Sequence, residues 1–145
     1  MGFKLRSMPT RLLCAAAAVT IAGCSSATDD GGTVADLRGS WIYSATQAGA
    51  ATLLEGSFII DEQDGSTFSG QFNGHVRDAQ GVISNLDGVA SGRAFGDAAI
   101  DFDLIANGVE RRHVGRIART DSVGGTWAQQ NGAASASGSF TLKRP

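Results

Sequence analysis

Arg111 and His113 lie two residues apart, so on an extended chain their side chains share one face. A guanidinium beside an imidazole on the inner wall of a small protein has a definite use. It can take the carboxylate, or another anionic head, of a bound molecule. The apolar body of that molecule would need an aromatic wall, and Trp41, Tyr43, Phe72, Phe102 and Trp127 all fall on inward positions of the strand pattern set out below. A plainer arrangement uses the same residues for packing: Arg111, close to a turn, reaches out of the rim, and His113 is hydrogen-bonded in the core.

Other chemistry is thinly represented. The chain has no Gly-x-Ser-x-Gly elbow, no phosphate-binding glycine loop and no histidine pair at metal-ligand spacing. Its two histidines, His75 and His113, fall on opposite parities of their strands, which leaves His75 facing solvent. Asp61-Glu62-Gln63-Asp64-Gly65 lacks the alternating oxygens and the distal glutamate of a calcium loop, and fits a hairpin turn. The basic run of Arg111, Arg112, Arg116 and Arg119 fits a solvated strand beside Asp101 and Asp103. A hydrolase would need a nucleophile and a base within hydrogen-bond reach, and no motif arranges them. Neither an enzymatic activity nor a metal or cofactor is expected.

The elements that position Arg111 and His113 are strands. In Phe68-Ser69-Gly70-Gln71-Phe72-Asn73-Gly74-His75-Val76 the even positions are apolar or glycine and the odd ones polar, and Ile100-Asp101-Phe102-Asp103-Leu104 keeps the same parity. A strand with one buried face requires that alternation. No window from residue 37 onward carries a helical stripe. Glycines and short polar clusters divide this part of the chain into eight expected strands, at 37–46, 53–61, 67–77, 83–94, 98–106, 109–119, 122–129 and 134–143. Every connection is short, so neighbours pair antiparallel.

Two Asn-Gly pairs set registers. A two-residue turn at Asn107-Gly108 puts Leu104 opposite Arg111, Phe102 opposite His113 and Ile100 opposite Gly115, with Asp103 facing Arg112 on the outside. The same turn at Asn131-Gly132 would pair Trp127 with Ala136, Gly125 with Gly138 and Val123 with Phe140. Eight meandering strands leave two unpaired edges unless the sheet closes. The expected fold is therefore all-β, an eight-stranded antiparallel up-and-down β-barrel, with a β-sandwich as the alternative closure. Gly-Ser/Thr-aromatic triplets at Gly39-Ser40-Trp41, Gly56-Ser57-Phe58, Gly125-Thr126-Trp127 and Gly138-Ser139-Phe140 fall on the two strands at each end, which closure would make neighbours.

Ahead of this domain, Lys4, Arg6 and Arg11 precede the apolar run from Leu12 to Gly23, which is too short to span a bilayer. With Ile21-Ala22-Gly23-Cys24 at its end, the segment resembles a bacterial lipoprotein signal peptide and its lipobox. The resemblance implies a signal peptide at 1–23, a diacylglyceryl group on the Cys24 sulfur, cleavage before Cys24 and acylation of the new amine. Two or more acyl chains hold a protein stably on a membrane. Residues 24–36 are built from linker residues and form an expected tether of roughly 20 Å, with the barrel at 37–145. Ser25 after the modified cysteine implies the outer membrane in a diderm cell, and otherwise the outer face of the cell membrane. Losing residues 1–23 leaves nine basic against fourteen acidic side chains, a net charge of −5 that disfavours nucleic acid. The mature domain would also carry no thiol besides Cys24.

Gly39-Ser40-Trp41 on the first strand, with the strand count, resembles the calycin barrels of lipocalins and avidins. Val123-Gly124-Gly125-Thr126-Trp127 is more loosely similar to the barrel halves of surface lipoproteins that bind host proteins. Two functions follow. The first is a lipid-anchored, non-enzymatic module of the cell envelope that contacts an envelope partner. The second is a calycin-like carrier of a small apolar or amphipathic ligand inside the barrel, with Trp41, Tyr43, Phe72, Phe102, Arg111, His113 and Trp127 as ligand-binding residues.

Overall fold

The computed structural model describes residues 33–132 and 135–145. The signal peptide at 1–23, Cys24 and the first part of the tether lie outside them. Eight strands follow one another: β1 (Gly39–Gln47), β2 (Leu53–Asp64), β3 (Thr67–Arg77), β4 (Ile83–Phe95), β5 (Ala99–Ala106), β6 (Val109–Arg119), β7 (Ser122–Gln129) and β8 (Ser137–Lys143). Each pairs antiparallel with the next, and β8 returns to β1 to close the barrel. The four Gly-Ser/Thr-aromatic strands are thereby brought side by side, as closure required.

Asn107 and Gly108 both take positive φ, 49° and 77°, the conformation of a type I′ hairpin. The register between β5 and β6 is the one that turn dictates: Leu104 faces Arg111, Phe102 faces His113 and Ile100 faces Gly115. Outside, Arg112 bridges Asp103 at 2.7 Å and Asp101 at 2.5 Å.

The expected register between β7 and β8 is corrected by two residues. Asn131-Gly132 is not a tight turn but part of a longer loop, closed by the Gln129 N–H donating to the Ala136 carbonyl at 2.8 Å. Trp127 consequently faces Gly138, Gly125 faces Phe140 and Val123 faces Leu142. Packing explains the choice, because Trp127 and Phe140 are now each set against a glycine, and Val123 against Leu142. A Cβ at Gly138 would overlap the Thr46 carbonyl oxygen and crowd the Trp127 indole. The turn between β2 and β3 sits at Gly65-Ser66, one residue later than a turn centred on Asp64-Gly65, since Asp64 pairs with Thr67.

Ring against glycine recurs in the interior, although Phe58 faces Trp41 and Phe72, and His113 faces Phe102 and Trp127. Tyr43 pairs with Gly56, Phe72 with Gly88, and Phe102 with Gly92. Two bulges refine the pattern. Asp61 is the extra residue in β2 and Ala118 in β6. Beyond Asp61 the inward parity of β2 changes from even to odd, and Gln63 turns inward.

One end of the barrel is sealed by the segment just before β1. Leu37 is buried, and Val34 and Ala35 pack against the core, so packing starts ahead of Leu37. Gln63 holds this segment by accepting from the Leu37 N–H at 2.8 Å and donating to the Ala35 carbonyl at 2.9 Å. Gly39 then turns the chain into β1 at φ 116°, which a side chain would resist. Arg144, after β8, lies over the Trp41 ring at 4.4 Å and donates to the carbonyls of Asp36, Arg38 and Thr120 at 2.9–3.1 Å.

Substituting Gly138→Ala should lower the unfolding free energy by about 1–3 kcal/mol, as overpacking of a filled interior does. Ser137→Ala, one residue away and exposed, should leave it within about 0.5 kcal/mol. Urea denaturation of the two variants checks the contrast, and equal midpoints would refute the ring-against-glycine account.

Candidate functional site

The seven residues expected to bind ligand separate into three levels. Trp41 lies at the sealed end, with its indole N–H donating to the Leu37 carbonyl at 2.8 Å and Arg144 above it. Arg111 and Trp127 lie toward the other end, where the turns at 47–52, 78–82 and 107–108 and the loop after Gln129 gather. Between them, Tyr43, Phe72, Phe102 and His113 join Phe58 and Phe140 in a contiguous layer of rings. The structure therefore does not bring Trp41 together with Arg111. Strand parity reports which residues point inward, and the ring layer separates the two ends.

His113 is the centre of that layer. It is fully buried, stacks on Phe102 with centroids 4.3 Å apart, and meets Phe140 edge-on at 4.9 Å. Its Nδ1 lies 2.9 Å from the Arg111 carbonyl oxygen, which can only accept, so Nδ1 carries the proton. Nε2 is then an acceptor and takes the Tyr43 hydroxyl at 3.0 Å. Burial, aided by the charge of Arg111, pushes the His113 pKa down to about 4, against the weaker pull of its backbone hydrogen bond. Burial also raises the Tyr43 hydroxyl well above its usual value. The tyrosine–histidine pair is thus a neutral, fully satisfied hydrogen-bond chain.

Arg111 stands just above this floor. It does not reach freely out of the rim: Nε and Nη1 are sealed from water and have no hydrogen-bond partner among the described residues. Its guanidinium carbon lies 5.8 Å from the centroid of the Trp127 ring. Desolvation lowers the Arg111 pKa from its usual value, partly offset by Tyr43, but a guanidinium stays charged in any protein setting. Donors of a charged group left without acceptors are costly. The same end carries an aliphatic collar of Leu54, Val76, Leu86, Ala106 and Val109. What Arg111 can do there is accept an anion, with apolar surface on the collar and Trp127 beside it.

Sequence reasoning identified Arg111 and His113 on one inner face but missed Gln63 and Arg144. Gln63 was concealed by the bulge at Asp61, which reverses the parity that an inward residue must show. Arg144 lies beyond the last strand, where alternation carries no signal. His75 sits on the outer face, its Nε2 3.7 Å from Glu55 across the β2–β3 pair. A surface cleft of about 560 Å³ runs along the outer wall among Thr46, Val114, Thr126 and Ser139 and reaches Trp127 and Gln130 at the same end, but Arg111 does not line it.

No family model and no curated protein matches the chain. Solved structures similar to it include redesigned and de novo designed β-barrels. EF1p2_mFAP2b bound to DFHBI superposes with a TM-score of 0.64 at 13% identity, over 75% of this chain and 94% of that one. The redesigned β-barrel mFAP1 bound to DFHBI gives 0.59 at 14% identity, covering 74% and 94% of the two chains. A de novo designed fluorescence-activating β-barrel gives 0.53 at 14% identity, covering 74% and 93%. At this identity the shared property is the fold, a small closed up-and-down barrel.

The burial of His113 makes stability depend on acidity in a defined window. Its folded pKa of about 4 lies below the 6.5 of an exposed histidine, so the unfolded chain binds the proton more readily. Stability contributed by neutral His113 is present above pH 6.5 and lost as the pH falls toward 4. The loss should be about 3 kcal/mol. Urea midpoints across that range, with imidazole nitrogen NMR to follow the ring, measure it. Titration of His113 near 6.5 in the folded protein would contradict the neutral chain with Tyr43.

Proposed function

We propose that this chain is a lipid-anchored, non-enzymatic binding protein of the cell envelope, whose barrel takes a small amphipathic acid at the Arg111 end. The observation that carries the reading is the guanidinium of Arg111, with Nε and Nη1 buried and unpartnered among the described residues. An anionic head supplies the missing acceptors, at charge-assisted strength and away from bulk water. The apolar part of the ligand rests against Trp127 and the aliphatic collar, not in the middle of the barrel, where the ring layer already fills the interior. Barrels of this fold bound to a small molecule, as EF1p2_mFAP2b and mFAP1 are to DFHBI, support a ligand site in such a scaffold. The anchor rests on the lipobox at Ile21-Ala22-Gly23-Cys24.

Native mass spectrometry of the full chain, purified gently from its own cells and followed by organic extraction, should recover a discrete small acid. Arg111→Met should lose it while keeping the circular dichroism of the parent. With the fluorescent amphipathic anion 1-anilinonaphthalene-8-sulfonate as probe, the same substitution should weaken binding by roughly tenfold or more, the worth of a charge-assisted contact. A clean apo mass together with unchanged probe affinity in the variant would refute the site. Cys24→Ser should abolish incorporation of labelled palmitate and leave the full-length precursor, and labelling that persisted would refute the anchor.

A further inference from the structure

Arg111 and His113 meet twice, through a bond and through charge. The Arg111 carbonyl accepts from Nδ1 of His113 at 2.9 Å, and the guanidinium charge reaches the same ring. A second proton on this imidazole would find its hydrogen bonds already in place. Nδ1 would keep its acceptor, and Nε2 would donate to the Tyr43 oxygen across the 3.0 Å it now spans, because a phenol hydroxyl accepts as well as donates. The hydroxyl has only to turn about its C–O bond. Phe102 lies face to face with the imidazole, centroids 4.3 Å apart and planes 8° from parallel, so an imidazolium would rest on the negative face of a phenyl ring. What keeps the ring neutral is burial and, with it, the charge of Arg111. Among the described residues no other charge faces it. Tyr43 from β1, Phe102 from β5, Trp127 from β7 and Phe140 from β8 surround it, and the inward side chains of β2, β3 and β4 are uncharged. Arg112, Asp101 and Asp103 pair with one another on the outer wall.

We infer that anion binding at Arg111 and protonation of His113 are coupled, so that the barrel takes up its acid together with a proton. This rests on the Arg111 site proposed above. A bound anion cancels the charge that opposes the imidazolium, and the imidazolium adds a second cation beneath the anion. The two effects are one coupling free energy and must be equal. The interior keeps a single net positive charge throughout, carried by Arg111 alone before binding and shared among Arg111, the anion and protonated His113 afterwards. Affinity for a ligand that stays ionised therefore rises as the pH falls through the range in which His113 titrates, and an acid gathered in acidic surroundings is held less tightly on return to neutrality.

The probe is 1-anilinonaphthalene-8-sulfonate on the full chain, since its sulfonate stays ionised across the range used. Imidazole nitrogen NMR should place the His113 midpoint at about 4 in the free protein and about one pH unit higher with saturating probe, with His75 on the outer wall as the internal reference. Calorimetry near pH 5 in two buffers of different ionisation enthalpy should find roughly 0.4 of a proton taken up per probe bound. In Arg111→Met the His113 midpoint of the free protein should lie above that of the parent and should no longer respond to the probe. A parent midpoint that bound probe leaves unmoved, without proton uptake, overturns the coupling and leaves the Arg111 site standing; this is decided on the parent whether or not the variant folds. A variant midpoint that still rises with the probe overturns Arg111 as the link. Probe that binds parent and variant alike removes the site, and this inference with it.

Discussion

A closed barrel of eight strands has an interior too narrow for a large ring at every inward position, and the whole structure depends on how that shortage of space is met. Here most of the large rings have a glycine across the sheet. Tyr43 meets Gly56, Phe72 meets Gly88, Phe102 meets Gly92 and Trp127 meets Gly138. Glycine weakens a strand in isolation, since it costs backbone entropy and offers nothing to pack. Inside a closed wall the balance reverses, because the space a glycine leaves is filled by the ring opposite, and dispersion contacts accumulate across the layer. Glycine at these inward positions is thus a requirement of the aromatic core. Solvating polar residues on the alternate face complete each strand.

The same constraint decides where a ligand can be held. A layer of rings through the middle leaves the two ends as the places where polar chemistry can stand, and the ends are used differently. At one, Arg144 lies over Trp41 and ties the last residues of the domain to Asp36, Arg38 and Thr120, while Gln63 ties the entering segment from the other side. Every polar group named there has a partner, and the result is a plug. At the other, Arg111 has neither solvent nor acceptor for two of its nitrogens. The contrast between a guanidinium with its donors paired and one with two buried donors unpaired, within one small barrel, distinguishes the sealed end from the end at which binding is proposed.

Much of this was legible in the sequence, and the exceptions share a cause. Alternation reports the face of a residue, and Asn107-Gly108 reports a register because both residues accept positive φ; together they place His113 against Phe102 from the sequence alone. Alternation does not report height along the barrel axis, and so Trp41 and Arg111 look like neighbours until closure sets them at opposite ends. Asn131-Gly132 misleads because the same dipeptide also occurs within longer loops. The needs of Trp127 then override the local turn signal, and the ring-against-glycine rule applied across β7 and β8 would have found the register. Gln63 needs knowledge of a bulge, and an extra residue such as Asp61 leaves no mark in the alternation until its partner strand is known.

The neutral chain beneath Arg111 bears on selectivity as well as stability. The Arg111 carbonyl accepts from Nδ1 of His113, which fixes the imidazole tautomer and obliges Tyr43 to donate to Nε2. The Arg111 charge in turn opposes protonation of that imidazole. The floor of the site is therefore polar in its bonding but without charge, and among the described inward-facing residues at this end there is no carboxylate. In the proposed site, a lone cation above a neutral floor, rimmed by aliphatic side chains, would discriminate first by sign and then by apolar surface. A cationic ligand would meet uncompensated repulsion in a region of low dielectric, and a neutral one could pair the Arg111 donors only without charge assistance. The amphipathic anion proposed for this end would satisfy both best, and without moving the ring layer on which the barrel's packing depends.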